Sequence, residues 1–384
     1  MKFLTFLALV AAVVASPANR KRRPAVTLEG NPFESYTLHA NSHYSSLVEA
    51  AIGNLSDSSL EPAAQVVKET GTFLWLDTIS TIETFEGYLQ ETGENEIFGV
   101  VIYDLPGRDC AAKASNGELA VGELDRYKSE YIDRESIVAI IKNNPDIAIA
   151  AIIEPDSLPN LVTNSDLTTC QNSASGYEEG VAYALSSLDL PNVVQYVDAG
   201  HGGWLGWDAN LKPGAEELAK VYKAAGSPSN VRGISTNVAG WNAWSKNPGE
   251  FENAPDGQYN KCQDEQRYVT IFGEALATAG FPNHAIVDTA RNGVQGLRDA
   301  WGDWCNVIGA GIGVRPTADT GEELADAFVW VKPAGESDGT SDSSATRYDS
   351  MCGLDDAYKP SPEAGAWNQP YFEELLKNAN PSLA

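Results

Sequence analysis

Carboxylates recur along this chain directly after short apolar runs, a placement that could support acid and base chemistry. The candidate carboxylates at these run ends are Asp77, Asp104, Asp109, Glu154, Asp156, Asp198, Asp288 and Asp338. A single Asp in such a place is usually a helix cap or turn residue, but recurrence at seven run ends makes a shared structural explanation weaker. Carboxylates that converge on one cleft push their pKa values apart, so that one holds a proton while another stays ionised. The pattern therefore predicts general acid catalysis.

Six of the nine tryptophans lie at or just beyond the same run ends. They are Trp75, Trp204, Trp207, Trp241, Trp244 and Trp304. The segment Gly202-Gly-Trp204-Leu-Gly-Trp207 places two of them in a glycine-rich loop, which a buried core does not require. Flat aromatic faces beside carboxylates suit a neutral, hydroxyl-rich polymer, because sugars stack on rings through their C–H faces while carboxylates bind their hydroxyls.

Other chemistries have little support in the sequence. His39 and His43 have ligand-like spacing but lack an obvious third ligand, so no metal site is expected. No Gly-x-Ser-x-Gly elbow precedes a helix, glycine-rich phosphate loops are absent, and the cysteines are too far apart in sequence for a redox pair. We expect no metal and no cofactor.

The apolar runs predict the strands that must position these residues. There are seven runs: Thr72–Asp77, Phe98–Asp104, Ile147–Glu154, Val193–Asp198, Val231–Asn237, His284–Asp288 and Ala327–Lys332. Strands buried on both faces lose the alternation of apolar and polar residues, and helical spacing separates the runs. Seven or eight such β/α units in one chain favour a parallel α/β barrel, with an open doubly wound sheet as the alternative. Chemistry in such a barrel belongs to the carboxyl ends of the strands.

Helical spacing covers several segments, and one long segment has no periodicity. The helical segments are Ser45–Gly53, Pro62–Glu69, Tyr127–Lys142, Tyr177–Leu188 and Ala215–Ala224. The stretch from Lys332 to Ala366 is rich in Gly, Ser, Asp and Pro. A loop of this length inside a compact domain is usually functional or disordered.

Composition indicates a secreted protein. Residues 1–23 contain a leader-like apolar run and the basic run Arg20-Lys-Arg-Arg23, which predict a signal peptide and a short basic pro-segment before one catalytic domain at 24–384. The net charge of −27 disfavours nucleic acid and anionic membranes as partners. Five cysteines suggest two disulfides and one odd thiol, in a pairing that spacing leaves open, and Asn54-Leu-Ser56 is a glycosylation sequon. No carbohydrate-binding module or linker is recognisable, and we expect a monomer.

Four motifs in order along the chain resemble glycoside hydrolase family 6, in particular its cellobiohydrolase II branch. They are Tyr103-Asp-Leu-Pro-Gly-Arg-Asp109-Cys-Ala-Ala, Ile153-Glu-Pro-Asp156-Ser-Leu, Asp198-Ala-Gly-His-Gly-Gly-Trp-Leu-Gly-Trp207 and Trp330-Val-Lys-Pro-Ala-Gly-Glu-Ser-Asp338-Gly. The resemblance runs from about Asn31 to Ala384. It implies a distorted seven-stranded parallel barrel that hydrolyses β-1,4-glucosidic bonds of cellulose and cello-oligosaccharides with inversion and releases mainly cellobiose from non-reducing ends.

The resemblance also implies roles for individual residues. Asp156 corresponds to the general acid, and Asp109 to the neighbour that raises the pKa of that acid. Tyr103 corresponds to the residue that distorts the sugar ring at the cleaved bond, and Ser115 to a residue that helps to hold the attacking water. Asp338 corresponds to the position whose role as general base is disputed in the family. The implied glucan-binding positions are Trp75, Asp77, Asp198, His201, Trp204, Trp207, Asn237, Trp304, Lys332 and Glu336. The cysteines correspond to the pairs Cys110–Cys170 and Cys305–Cys352, which leaves Cys262 free.

The sequence departs from the family pattern at Gly240, Ala290 and Ser337, which puts details of the subsites in doubt. Two long segments, Arg108 to about Gly122 and Pro333 to Ala366, could roof the cleft, so we expect an exo-acting enzyme with a tunnel. An endo-acting β-1,4-glucanase on the same fold is the alternative. A non-catalytic glucan-binding protein is disfavoured because Asp109 and Asp156 are both present.

Overall fold

The computed structural model describes residues 23–133 and 136–383. The predicted signal peptide lies almost wholly outside these residues. Within the described residues there are eight strands: β1 (Thr37–Leu38), β2 (Leu74–Leu76), β3 (Glu96–Ile102), β4 (Ala148–Ile153), β5 (Val193–Asp198), β6 (Val231–Thr236), β7 (His284–Asp288) and β8 (Ala325–Val329). The α-helices are α1 (Ser42–Ile52), α2 (Glu61–Lys68), α3 (Ile82–Leu89), α4 (Leu124–Arg126), α5 (Ile137–Asn143), α6 (Leu158–Thr163), α7 (Thr168–Ser187), α8 (Asp208–Ala224), α9 (Glu265–Ala279) and α10 (Gln369–Lys377).

Seven of the strands form the predicted barrel, and each overlaps one of the seven apolar runs, although β3 and β8 begin two residues before theirs. Every pairing between neighbours is parallel, and from β2 to β8 the spatial order follows the sequence order. The alternative of a doubly wound sheet is therefore wrong, because such a sheet reverses its strand order at a switch point. The eighth strand, β1, was not predicted; it has two residues and pairs with the beginning of β3.

The barrel is nearly closed, with a seam between β2 and β8. These two strands are not paired as a ladder. Two hydrogen bonds cross the seam, from the Phe73 amide to the Trp330 carbonyl (3.1 Å) and from Trp75 Nε1 to the Val331 carbonyl (2.9 Å). The two strands are therefore joined by separate hydrogen bonds and not by a ladder.

The core has two layers around the sheet, which explains why the strand sequences are continuously apolar. All six residues of β4 are buried. One layer fills the barrel interior and includes Val101, Ile152 and Tyr196. The other lies between the sheet and the surrounding helices and is the largest apolar cluster. Because both faces of each strand are covered, β-branched and apolar residues are favoured at every position.

The helix predicted over Tyr127–Lys142 is wrong as a single element. The chain forms α4, then a π-helix at Tyr127–Ile132, and only later α5. Asp133 is extended, and its backbone N–H donates to the Lys128 carbonyl, so the helix ends there. The Tyr127 hydroxyl donates to Glu154, which follows β4, and the Tyr131 hydroxyl donates to the carbonyl of Leu76, the last residue of β2. Those buried contacts fix the two rings, which a uniform helical period does not anticipate.

Within residues 23–133 and 136–383, no helix has the length and apolarity needed to cross a membrane.

Candidate active site

Asp156 and Asp109 occupy backbone conformations that few residues adopt. Their φ angles are +60° and +59°, in the left-handed region. Aspartate tolerates this region better than most L-residues. At Asp156 the conformation directs the backbone N–H to Asp198 Oδ2 at the end of β5 (3.1 Å), and the Asp156 carbonyl accepts from Asn160 Nδ2. Asp156 is thus held from two sides just beyond β4.

The surroundings of Asp156 favour its protonated form. Burial raises its pKa well above the usual value, and the charges of Asp109 and Asp198 raise it further, while Arg108 opposes them. Both effects act in the same direction because each penalises the ionised carboxylate. A carboxyl group that keeps its proton at mildly acid pH can donate it to a leaving oxygen.

Asp109 is buried like Asp156, but its carboxylate has different partners. Burial raises its pKa, whereas a hydrogen bond from the Ser115 hydroxyl to Oδ2 and the Arg108 charge lower it. Asp156 receives no comparable hydrogen bond to its carboxylate among the described residues. When two buried carboxyls share a site, this difference makes Asp109 the one that ionises and Asp156 the one that holds the proton.

Arg108 organises the segment that carries Asp109. Its Nη1 donates to the carbonyls of Asp77 (2.7 Å) and Tyr103, and its Nε donates to the Ser115 carbonyl (2.9 Å). The guanidinium also stacks over the Tyr103 ring at 4.2 Å. Because one side chain bonds three segments, it fixes Asp109, Ser115 and Tyr103 relative to β2.

Tyr103 and Trp75 form an aromatic corner at the barrel seam. Their ring centroids are 5.1 Å apart, and the planes are nearly perpendicular at 84°. Burial raises the pKa of Tyr103 well above its usual value, as do the charges of Asp109 and Asp156, so its hydroxyl stays neutral beside the two carboxyls. The corner presents an apolar surface next to the candidate acid.

Asp338 is tied to cations. Both of its oxygens accept from Nη1 of the buried Arg291, at 2.8 and 2.9 Å, and Oδ2 also accepts from the Asn306 backbone N–H (2.8 Å). Lys332 Nζ lies 3.5 Å from Oδ1. A carboxylate engaged in this way has few free lone pairs for removing a proton from water. Its arrangement suits the positioning of charge better than direct base catalysis.

Glu336, Asp77 and Lys332 lie in the same electrostatic environment. Burial raises the pKa of Glu336 to about 7, with Lys332 opposing and Asp77 adding to the rise. Lys332 Nζ donates to the Ser337 carbonyl (3.2 Å). Acidic and basic side chains therefore lie near the corner formed by Trp75 and Tyr103.

The predicted tryptophan platform is held by hydrogen bonds from its indole N–H groups. Trp204 Nε1 donates to Thr163 Oγ1 (2.6 Å), and Trp207 Nε1 donates to the Gly203 carbonyl (2.7 Å). The Trp207 ring lies 5.4 Å from that of Trp301, which sequence reasoning did not select. All three tryptophans are partly exposed, as stacking surfaces must be.

Two predicted glucan-binding residues have structural partners. Asn237 is fully buried, and its Nδ2 donates to the Asn242 and Asp288 carbonyls while its Oδ1 accepts from the Asn242 N–H. Asp198 is also buried, and burial raises its pKa to about 7 against the backbone N–H groups of Asp156 and Gly200. Each supports the loops around the site from below. Trp304 is partly exposed, and its carbonyl accepts from Trp241 Nε1 (2.9 Å).

The two predicted roof segments meet. The Lys113 backbone N–H donates to Asp349 Oδ2 (3.0 Å), and Gly339 packs so closely that a Cβ atom on it would lie 2.9 Å from that of Ala114. Both predicted disulfides are present, Cys110–Cys170 and Cys305–Cys352, and Cys262 is free and buried. One disulfide anchors each segment. The two predicted roof segments are therefore joined to each other.

Several residues of the site were missed by sequence reasoning. Arg291, Asn306, Asn242, Glu265 and Arg298 all hold site residues through hydrogen bonds. None of them belongs to the four motifs that carry the family resemblance, so nothing in the sequence separates them from ordinary polar residues.

Comparison with known proteins gives one consistent result. The family model described as Glycosyl hydrolases family 6 matches residues 33–379. The chain is 67% identical over 390 residues to a 1,4-beta-D-glucan cellobiohydrolase, CEL6C, of Podospora anserina, covering 98% of both chains. It is 50% identical to Exoglucanase 3 of Agaricus bisporus, covering 92% of this chain and 80% of that protein.

Solved structures agree. The catalytic core domain of the cellobiohydrolase Cel6A from Chaetomium thermophilum superposes with a TM-score of 0.88 at 50% identity, covering 92% of this chain and 100% of that one. The D405N mutant of Cel6A from Humicola insolens, in complex with methyl-tetrathio-alpha-d-cellopentoside, also has a TM-score of 0.88, at 47% identity, covering 93% and 100%.

Proposed function

Because this chain belongs to the glycosyl hydrolases of family 6, we propose that it is an exo-acting cellulase that hydrolyses cellulose and cello-oligosaccharides to cellobiose. The cellobiohydrolase CEL6C of Podospora anserina and Exoglucanase 3 of Agaricus bisporus are 67% and 50% identical to this chain and cover 98% and 92% of it. The endo-acting alternative is not favoured, since the roof segments touch across the cleft through Lys113 and Asp349.

The observation that carries the mechanism is the buried Asp156 carboxyl beside the charges of Asp109 and Asp198. In the proposed reaction Asp156 protonates the glycosidic oxygen as the bond from that oxygen to the anomeric carbon breaks. Water adds to the anomeric carbon from the opposite face, which inverts its configuration. The leaving sugar takes the Asp156 proton, and the water must release one.

Asp109 is the proposed final acceptor of that water proton, and the Ser115 hydroxyl is proposed to relay the proton to it. The Ser115 hydroxyl bonds Asp109 and lies on the segment fixed by Arg108. Asp338 is proposed to hold Lys332 and Arg291 in place instead of acting as the base, because its oxygens already accept from Arg291.

The remaining site residues are proposed to bind the glucan chain. Trp204 and Trp207 would stack on sugar faces, with Trp304 as a further platform, and Trp75 with Tyr103 would press on the ring at the cleaved bond. Lys332, Glu336 and Asp77 supply partners for hydroxyl groups. Asp198 and Asn237 would act indirectly, by holding the loops that carry the direct contacts.

Secretion as a monomer is part of the proposal. The leader-like segment before residue 24, the two disulfides and the exposed sequon residue Asn54 support an oxidising, glycosylating route. All the proposed catalytic residues come from one chain, so no second subunit is needed to complete the site.

Cellohexaose hydrolysis followed by NMR tests the function and its stereochemistry together. We expect cellobiose as the main product, with the new end appearing first as the α anomer. The Asp156→Asn variant should lose activity by roughly 10²–10⁴-fold while still binding cello-oligosaccharides. A β anomer as the first product would overturn the inverting mechanism, and a ladder of mixed oligomers would overturn exo action.

A further inference from the structure

The loop that carries His201, Trp204 and Trp207 rests on a buried polar network centred on Asn242. Asn242 is fully buried. Its Nδ2 donates to His201 Nδ1 (3.0 Å) and to Glu265 Oε1 (2.8 Å). Its Oδ1 accepts from Arg298 Nη2 (2.8 Å). Each end of the amide therefore has a charged partner of known polarity.

Those partners determine which way the amide points. A guanidinium can only donate hydrogen bonds, so the atom of Asn242 facing Arg298 must be the oxygen. The Glu265 carboxylate accepts, so the atom facing it must be the NH₂ group. The same NH₂ group faces His201, and this orientation follows from the partners alone.

The His201 ring is consequently restricted to one tautomer. A second donor, the backbone N–H of Gly203, also points to Nδ1 (3.1 Å), and a backbone N–H cannot accept. With two donors directed at it, Nδ1 carries no proton, so the proton of the neutral ring lies on Nε2. Burial, followed by the charge of Arg298, lowers the pKa of His201 to about 3. The ring therefore stays neutral at mildly acid pH.

We infer that Asn242 is a positioning residue that fixes His201 as the Nε2–H tautomer, so that the ring offers one constant hydrogen-bond donor to a hydroxyl oxygen of the bound glucan. The inference rests on the proposed function and on the glucan-binding position that the family resemblance implies for His201. The ring is partly exposed, and its centroid lies 6.1 Å from that of Trp204. Among the described residues Nε2 has no protein partner in the hydrogen-bond network that holds Nδ1.

A donor beside a stacking surface matches the two ways in which a sugar is recognised. The glucose face can lie on Trp204 while one of its hydroxyl oxygens accepts from Nε2. An ordinary histidine, with a pKa near 6.5, would change its charge across the mildly acid range. Burial and the charge of Arg298 remove that change, while the two donors at Nδ1 fix the tautomer. The charged groups in this network are Glu265, Arg298 and Glu250, which accepts from Arg298 Nη2 at 3.1 Å.

The tautomer can be read without substrate, by ¹⁵N NMR of histidine-labelled protein. The sequence has four histidines, so the His201→Gln variant identifies the His201 signals. We expect Nδ1 to resonate as an unprotonated ring nitrogen and Nε2 as a protonated one, with no titration between pH 7 and about 4.5. A protonated Nδ1, or titration near pH 6.5, would overturn the inference even if the enzyme cleaves cellulose as proposed.

The Asn242→Asp variant tests the positioning role itself. A carboxylate can only accept, so the His201 proton should move to Nδ1 or the ring should become charged in the mildly acid range. KM for cello-oligosaccharides should rise about 3–10-fold, with kcat changed less than twofold, because one hydrogen bond to the bound chain is lost. An unchanged ¹⁵N pattern and unchanged KM would overturn the role.

Asn230→Asp is the matched control. Its side-chain amide also donates hydrogen bonds, but to the main-chain carbonyls of Leu188, Leu190 and Val193, just before β6 at the opposite end of the barrel. This variant should lower stability and leave both the His201 spectrum and KM unchanged. If Asn242→Asp does not fold, the wild-type spectrum still decides the tautomer. An inactive wild-type protein with the expected spectrum would refute the proposed function and leave the tautomer assignment standing.

Discussion

At the scale of single residues, the site works by giving similar carboxyls different surroundings. Asp156 and Asp109 are both buried aspartates in left-handed backbone conformations. Only Asp109 accepts a hydrogen bond from the Ser115 hydroxyl. Asp156 instead lies close to the negative charges of Asp109 and Asp198, which raise its pKa. The proton is therefore expected on Asp156, and its pKa depends on negative charge at Asp109.

Asp109→Asn should lower kcat, because the proposed acceptor of the water proton is lost, and should also move the alkaline limb of the kcat profile to lower pH by about one pH unit or more. Activity needs protonated Asp156, and removal of the Asp109 charge lowers the pKa of Asp156, so the acid form disappears at lower pH. The limb should stay above the ordinary aspartate range, near 3.9, because burial is the larger cause and is unchanged. Asparagine can still accept from Ser115, so local packing is retained.

Asp208→Asn is the control for that measurement. Asp208 is exposed at the start of α8, with Lys261 Nζ 3.8 Å away. It should leave the limb in place. If the limb does not move in Asp109→Asn either, another group, with Asp198 the first candidate, controls the pKa of Asp156.

At the scale of elements, the barrel supplies positions and the loops supply closure. The strand ends place Asp156 and Asp198 side by side, because β4 and β5 are parallel neighbours. The roof comes from two segments that contain no β-strand and bond to each other through Lys113 and Asp349. We expect these few loop contacts to control access to the cleft.

Asp349→Ala should loosen the roof and make the enzyme more endo-acting. The variant loses the bond from Lys113 and also the bond from the Met351 N–H that begins a short 3₁₀ helix. We expect a greater loss of viscosity of carboxymethylcellulose for each reducing end released. Asp342→Ala is the matched control, since Asp342 lies in the same segment and bonds only the nearby Ser344 through its side chain. Equal ratios of viscosity loss to reducing ends in the two variants would show that this contact does not close the roof.

At the scale of the whole molecule, buried carboxyls make stability depend on pH. Burial is the first cause of a raised pKa in each of five groups: Asp104, to about 8, and Glu154, Asp198, Glu265 and Glu336, each to about 7. A carboxyl group whose pKa is raised by folding binds its proton more tightly in the folded state than in the unfolded state. Its contribution to stability is therefore present at acid pH and is lost as the pH rises through the folded pKa.

The unfolding temperature should accordingly fall by several degrees between pH 5 and pH 8. The net charge of −27 acts in the same direction, because self-repulsion increases as the carboxyls ionise. Thermal unfolding at constant ionic strength measures the effect. Asp104→Asn should flatten the slope between pH 6 and pH 8, whereas the exposed Asp189→Asn should not. A stability that rises over this range would contradict the assignment of raised pKa values.

The sequence by itself determined the barrel and the residues at its carboxyl end. Continuous apolar runs are a local signal, and both-face burial in a parallel sheet produces them directly, so all seven barrel strands could be located. The run ends then identified Asp109, Asp156 and Asp198. The disulfide pairs, by contrast, came from the family resemblance, since spacing alone left their pairing open.

Only the tertiary structure decided how polar side chains are paired across loops. Arg291 meets Asp338 over 47 positions, and Asn242 meets Arg298 over 56. Such contacts form only when distant segments of the chain are brought together by folding. Polar loop residues have no sequence periodicity from which these contacts could be predicted. The break near Asp133 has the same origin, because buried partners of Tyr127 and Tyr131 override a helical period that the local sequence otherwise favours. Local patterns specify elements, whereas the satisfaction of buried polar groups is settled only when the elements are packed together.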